Sequence, residues 1–349
     1  MKRTNTGRTK KDLSVGLIGL GYWGKKYLRV LSEIDNVKLS FVVDNDPSQI
    51  NALPLHNAKF YSNIESALRD SSVNCCFIVT PPTAHLDIIE TCFLNGVDVF
   101  IEKPVTLSLN DLNEAMSLSQ KYNKLMYPGH IYAYNEGVKL VRSIVSKDDF
   151  GDILYAISSR LGLGPIREDA NVVWDLMIHD LTILDLIGLR EPHRVTCTGD
   201  SYVRTNIEDI ASCKITYKGG ISAFLQASWL SPLKIRQTII VGENKMIIFD
   251  DTAQEFPVKV FNNKVVLAEL NSWGTFKSIV RAGDIFIPAL SPVEPLKQMV
   301  LSFFSSLNEE NESAHTEQAM AKRVIRLLEK MTQSMKSGGK PLRVNEIEN

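Results

Sequence analysis

The stretch Val15–Gly24 reads Val-Gly-Leu-Ile-Gly-Leu-Gly-Tyr-Trp-Gly, and it constrains the fold more than any other part of the chain. An apolar run stops at Gly19, and Gly19-Leu20-Gly21-Tyr22-Trp23-Gly24 fits the pattern G-x-G-x-x-G. Each glycine has a physical reason there: a tight turn, close backbone approach to a pyrophosphate, and close helix–strand packing. The helix that opens after the loop aims its N-terminal N–H groups at phosphate. A second apolar run, Leu39-Ser40-Phe41-Val42-Val43, ends at Asp44, twenty residues after Gly24. A carboxylate at that place accepts hydrogen bonds from a ribose diol and repels a 2′-phosphate, and Asn45-Asp46 bring no arginine to offset it. The glycines alone would also fit a plain turn. Set between two strand-like runs, with the acid at this distance, they predict a dinucleotide site that takes NAD in preference to NADP.

The rest of the first half keeps the same rhythm. Strand-like runs at 14–19, 38–43, 58–61, 73–80, 97–102 and 124–129 alternate with helical patterns at 23–34, 63–69, 83–94 and 109–122. Short continuous apolar strands separated by helices predict a doubly wound parallel sheet covered on both faces. Asn63 and Asn110-Asp111 suit helix starts, and Asn95-Gly96 suits a helix stop. After about residue 130 the rhythm changes. Helical patterns at 134–146 and 172–189 flank a strand at 152–161, and strand-like runs then follow at 193–203, 210–217, 221–229, 235–241, 245–249, 258–261 and 265–270. Turn signals at Lys218-Gly219-Gly220, Gly242-Glu243-Asn244 and Asn262-Asn263 predict an antiparallel meander, and so an α+β domain with one large open sheet. Stretches 295–307 and 316–336 read as closing helices, and 282–292 as a surface loop or partner-contact segment. The expected organisation is a basic flexible tail (1–12), an NAD-binding Rossmann domain (13–130) and an α+β substrate and oligomerisation domain (131–349).

Bulk properties narrow the function class. The chain has 349 residues and a formal net charge of −1, which gives no general attraction to nucleic acid or an acidic membrane. The local exception, Met1–Lys11 with Lys2, Arg3, Arg8, Lys10 and Lys11, reads as a tail rather than a binding arm or a signal peptide. No apolar run reaches the length of a membrane span. Cys75, Cys76, Cys92, Cys197 and Cys213 show no metal-ligand spacing and read as buried thiols of a reducing cytoplasm, so no metal is expected.

In an open parallel sheet, ligands bind beyond the carboxyl ends of the strands, so the residues after strands four and five are candidates for the same crevice as the glycine loop. These are Thr80-Pro81-Pro82, with His85 one helical step further, and Glu102-Lys103-Pro104. His85 reads equally as a cofactor contact or a polar residue at a helix start. Lys103, between Glu102 and Pro104, could stabilise developing alkoxide charge, or be an ordinary lysine at a strand end. Downstream, Trp174-Asp175-Leu176-Met177-Ile178-His179-Asp180 places Asp175 and His179 at i and i+4 on one helix face. A carboxylate beside an imidazole suits proton transfer near neutral pH, and a buried structural pair is the plain alternative. Asp180 reads as structural. Arg160 and Arg167 bracket a Gly- and Pro-shaped loop and either grip an anionic group or are solvated. Tyr132, Tyr134 and Asn135 either line a pocket or pack.

Taken together, Gly19-x-Gly21-x-x-Gly24, Thr80-Pro81-Pro82, Glu102-Lys103-Pro104 and Asp175-x-x-x-His179, in that order, resemble the glucose–fructose oxidoreductase / inositol dehydrogenase / MocA family over about residues 13–344. The resemblance implies a Rossmann domain followed by an open-faced α+β domain, a nicotinamide cofactor, and oxidation or reduction of a ring carbinol on a sugar-like substrate. It implies Lys103, Asp175 and His179 as catalytic residues, with either His179 or Lys103 as the proton acceptor. The expected cofactor contacts are Gly19, Gly21, Tyr22, Trp23, Gly24, Asp44, Thr80, Pro81, His85, Glu102 and Lys103. Arg160, Arg167, Trp174, Tyr132 and Asn135 are then expected on the substrate side. The family associates through the large sheet, so a homodimer or homotetramer is expected. Arg160, the Leu-Gly-Pro-Ile-Arg loop and the Trp174–Asp180 segment look like the branch acting on nucleotide-linked amino sugars at C3. A free polyol or inositol, or a non-catalytic NAD-binding sensor, are the other readings.

Overall fold

A computed structural model describes residues 12–52, 58–262, 264–266, 279–281, 283–307 and 312–344. The basic segment 1–11 lies outside the described residues. The chain divides into two compact units, one of residues 1–129 with 296–319 and one of residues 130–295 with 320–349.

The first unit is built on β1 (Leu13–Ile18), α1 (Tyr22–Ser32), β2 (Val37–Val43), β3 (Lys59–Tyr61), α2 (Ile64–Asp70), β4 (Cys75–Ile78), α3 (His85–Leu94), β5 (Asp98–Glu102), α4 (Leu109–Tyr122) and β6 (Met126–Gly129). The six strands form one parallel sheet in the order β3-β2-β1-β4-β5-β6. The order reverses between β1 and β4, so the glycine loop after β1 stands at the switch point, where such sheets bind ligands. Continuous burial along β4, Cys75-Cys76-Phe77-Ile78, reflects helices on both faces. Asn63 caps α2 as expected, accepting from the Ser66 N–H at 2.9 Å. The cap of α4 is Ser108, whose Oγ accepts from Asp111 N, rather than Asn110 or Asp111. Residues 296–319, expected in the C-terminal domain, pack with this unit. Phe303 of a helix running Pro295–Ser306 lies 5.3 Å from Phe77 and 5.6 Å from Phe100, ring centre to ring centre, so the sheet's aromatic core is completed from far along the chain.

The second unit contains α5 (Glu136–Val145), β7 (Ile153–Leu163), a π-helical turn (Val173–Met177) continuing into α6 (Ile178–Leu186), and then β8 (Pro192–Asp200), β9 (Ile210–Tyr217), β10 (Ser222–Ser228), β11 (Leu230–Gly242), β12 (Met246–Asp250) and β13 (Val258–Phe261). With edge pieces Ile285–Phe286 and Leu342–Arg343 they make a nine-stranded sheet, ordered from the first edge piece through β13-β12-β11-β7-β10-β9-β8 to the second. The expected meander is interrupted. β7 inserts between β11 and β10, pairing antiparallel with β11 and parallel with β10, so the sheet is mixed, though mostly antiparallel. Turn signals report which strands are consecutive and cannot report an earlier strand that slips between them.

Cys197 and Cys213, expected as thiols, stand opposite each other in the β8–β9 register and are joined as a disulfide; Cys75, Cys76 and Cys92 are buried thiols. Of the strand expected at 265–270, residues 267–270 lie outside the described residues, as does Ala282 of the expected surface loop. Within the rest of that loop Ile285–Phe286 is strand. No helix among the described residues is long and apolar enough to cross a membrane.

Candidate functional site

In the first unit, β1 delivers the chain into Gly19, whose φ of +95° favours glycine and whose added Cβ would lie 2.7 Å from the Val79 carbonyl oxygen. A Cβ on Gly24 would lie 2.1 Å from the Gly19 carbonyl oxygen. These two glycines are required by the protein itself. Gly21 is different: a Cβ there would meet no described atom within 4 Å. Its φ of −68° suits any residue, so what the glycine leaves is room in front of the helix end. Gly21 gives α1 no side-chain cap, the first turn carries no acid, and Lys25 and Lys26 follow, a combination that leaves the helix N-terminus suited to an anion. Thr80, at the end of β4, has a buried Oγ1 without a hydrogen-bond partner. The open space at Gly21, the uncapped helix start and the orphaned hydroxyl fit a dinucleotide.

Asp44 has two tasks. Its Oδ2 accepts from Leu20 N at 2.6 Å and its Oδ1 from Asp46 N at 2.9 Å, so the carboxylate clamps the glycine loop to β2 while each oxygen keeps acceptor capacity for a ribose. Tyr22 is exposed beside the loop, Trp23 stands edge-on to it, and the Lys26 ammonium sits 4.4 Å from both ring centres. Pro81 leaves β4 in an extended conformation, and Pro82 already opens a short helical turn, Pro82–Ala84.

Two expected cofactor contacts are tied to the surrounding scaffold. His85 is fully buried, with Nδ1 2.9 Å from the Val105 carbonyl oxygen and Nε2 2.9 Å from that of Thr80, so both ring nitrogens face backbone. Burial lowers its pKa, with backbone hydrogen bonds opposing. Glu102 is buried; its Oε1 accepts from the Tyr27 hydroxyl and its Oε2 from Lys103 N, each at 2.7 Å. Burial and this carboxylate push the Tyr27 phenol well above its usual range. Glu102 therefore fixes the backbone from which the partly exposed Lys103 side chain departs.

In the second unit, Asp175 lies on the π turn and His179 in the first turn of α6; both are partly exposed, while Met177 and Ile178 between them are buried. Asp175 Oδ2 accepts from the Trp229 indole Nε1 at 3.1 Å, and Arg167 Nη1 lies 3.5 Å from Oδ1. The Tyr132 ring packs against the His179 imidazole, ring centres 5.2 Å apart.

The expected substrate residues separate into two kinds. Arg160 is buried, donating from Nε and Nη2 to Asp180 at 3.0–3.2 Å and from Nη1 to the Tyr132 hydroxyl at 2.9 Å. Burial alone would lower its pKa; Asp180 and Tyr132 hold it above the usual value. It is a buried ion pair, with donors from all three nitrogens turned to Asp180 and Tyr132. Trp174 is also buried, its Nε1 donating to Thr332 Oγ1 at 3.0 Å, and packs rather than lining a surface. Tyr132 is buried with its hydroxyl donating to Asp251 at 2.7 Å; burial, then Asp251, push its pKa up against Arg160. Asn135 caps α5 through Val138 N. Arg167 remains partly exposed, but its fork is engaged by Asp169, which raises its pKa. Trp229 and Asp251, which brace these groups, were not among the sequence candidates. Trp229 lies 54 positions from Asp175, and no spacing rule links them.

Comparison with known proteins follows this division. Residues 13–130 match the model of an oxidoreductase family with an NAD-binding Rossmann fold, and residues 138–248 match the model of the GFO/IDH/MocA C-terminal domain. UDP-N-acetylglucosamine 3-dehydrogenase of Acidithiobacillus ferrooxidans is 28% identical over 218 residues, covering 62% of this chain and 67% of that protein. Myo-inositol 2-dehydrogenase of Thermotoga maritima is 24% identical over 258 residues, covering 70% and 77%. The matched region spans about half the length of some curated relatives, 52% and 53% in two cases. A solved structure of the A. ferrooxidans UDP-N-acetylglucosamine 3-dehydrogenase superposes with a TM-score of 0.78 at 22% identity, covering 93% of this chain and 98% of that one, which shows the shared fold.

Proposed function

The chain belongs to the Gfo/Idh/MocA oxidoreductase family, with an NAD-binding Rossmann domain, and from that premise we propose that it oxidises or reduces a ring carbinol of a sugar. When bound, NAD supplies the hydride acceptor, or as NADH the donor. The Gly19–Gly24 loop, Asp44 and Thr80 hold the dinucleotide. His179 takes the hydroxyl proton in oxidation and returns it to the ketone in reduction, and Asp175 orients the imidazole. Lys103, its backbone held by Glu102, offsets charge on the reacting oxygen. The observation that carries this reading is Asp175: a partly exposed carboxylate four positions before a partly exposed imidazole, braced by an indole N–H and an arginine.

The finer proposal is a nucleotide-linked amino sugar oxidised at C3, supported by the 28%-identical relative. One observation favours a second reading, a free polyol or inositol: Arg160 is buried against Asp180, which leaves Arg167 as the partly exposed arginine of the expected pair. The exposed Tyr155, Ile157 and Phe224 on the open face of the large sheet support association of this chain with further copies of itself.

Absorbance at 340 nm with NAD and a panel of UDP-N-acetylhexosamines, inositols and free sugars tests the proposal. Turnover of a member of the panel that collapses in Lys103→Ala and His179→Asn, with NAD still bound, supports it. Near-normal turnover in Lys103→Ala overturns the assignment of that residue, and no turnover across the panel overturns the activity.

A further inference from the structure

Trp229 occupies a junction in the second unit. Its backbone N–H donates to the Asp209 carbonyl at 3.0 Å, and its own carbonyl accepts from Gly164 N at 3.3 Å. Its indole N–H donates to Asp175 Oδ2 at 3.1 Å. One residue thus ties the end of β10 to the segment before β9, to the end of β7 and to the Asp175 carboxylate. The side chain is 2% exposed, so the indole has little room to turn away. Asp209 is itself fixed, its Oδ2 accepting from Tyr202 N and Val203 N, and the 164–171 loop that starts at Gly164 carries Arg167, on the other oxygen of Asp175. The carboxylate is therefore held from two sides by groups that the same residue helps to place.

We propose that Trp229 is the positioning residue of the Asp175–His179 pair: its indole N–H sets the rotamer in which Asp175 can orient the imidazole. The proposal rests on the reading above that this pair handles the substrate proton. A carboxylate that loses the indole N–H is held less firmly in that rotamer, and a rotated carboxylate no longer aligns its neighbour. The loss falls on the chemical step, because the indole acts through the Asp175 carboxylate.

Trp229→Phe in the full-length protein removes the N–H and keeps an aromatic ring. With the panel member that the wild type oxidises, kcat is expected to fall about tenfold or more, the loss of a hydrogen bond to a charged group. The KM for NAD stays within about twofold, as uniform cofactor binding is untouched. The pH profile of kcat shifts with it. Trp229→Phe added to Asp175→Asn costs little more than Asp175→Asn alone, because the indole acts through that carboxylate. A wild-type kcat and pH profile in Trp229→Phe, or a full additional loss on top of Asp175→Asn, overturns the proposal. Wild-type turnover in Asp175→Asn overturns the underlying reading instead. A second readout needs no substrate. The 15N-labelled protein gives indole N–H resonances, and the Trp229 signal is the one missing from Trp229→Phe. That signal moves in Asp175→Asn if the hydrogen bond exists in solution; an unmoved signal overturns the proposal even if no sugar in the panel is turned over.

Discussion

The three glycines of the loop make unequal demands, and Gly21→Ala separates them. A methyl group at Gly21 meets no described atom within 4 Å, and the backbone there, φ −68°, is open to alanine. Removing glycine's freedom in the unfolded chain is worth about 0.4–1 kcal/mol of added stability at a compatible site. Gly21→Ala should therefore melt at or slightly above the wild-type temperature. The space it fills is where the backbone must come close to a pyrophosphate, so NAD affinity should fall more than tenfold, or more than about 1.4 kcal/mol. Gly24→Ala is the control: its Cβ would sit 2.1 Å from a backbone oxygen, so α1 must move away from the loop and stability falls with affinity. The assay is thermal unfolding beside calorimetric titration with NAD. Wild-type NAD affinity in Gly21→Ala would refute the assignment of that space to the cofactor, and an unstable Gly21→Ala would refute the statement that the protein leaves it empty.

Arg160→Met should act on stability rather than on substrate KM. It leaves Asp180 buried without its arginine and with Ser158 still donating to it, at a cost of about 3–5 kcal/mol, and urea unfolding that matches wild type would contradict this. Asp44 should make NAD the better cofactor; a lower KM for NADP than for NAD would contradict it. His85 should make stability fall on acidification. Its folded pKa lies below the ordinary histidine value, so as pH drops below about 6.5 the unfolded chain takes the proton first. That contribution, intact above this range, is lost at up to about 1.4 kcal/mol per pH unit. Between pH 7 and 5.5 the wild type should thus lose more stability than His85→Gln, and equal losses would count against it.

What the sequence made legible follows from how local each cause is. Gly19, Gly24 and Asp44 act within a single strand–helix–strand unit, and continuous apolar runs marked its strands, so the parallel sheet and its loop were readable. Helix stops and caps were readable where one residue decides them, as at Asn63, and less so at Ser108, which lies just ahead of two other good capping residues. Long-range pairings were not. The slot that β7 takes between β10 and β11, the return of Phe303 to the first sheet, and the Trp229–Asp175 hydrogen bond each join residues far apart in the chain. The same limit explains Arg160 and Trp174. An arginine near a Gly-Pro loop and a tryptophan beside an Asp look exposed on paper, and only packing shows Asp180 and Thr332 as their partners.

The central claim is hydride transfer from a ring carbon of a sugar to NAD, and isotope transfer tests it most directly. UDP-N-acetylglucosamine deuterated at C3, and an inositol deuterated at its ring carbons, are each incubated with NAD and the protein, and the NADH formed is weighed by mass spectrometry. The account predicts NADH carrying deuterium from one of these substrates, with the signal lost in Lys103→Ala. NADH formed without the label, or label transfer that persists unchanged in that variant, would contradict it.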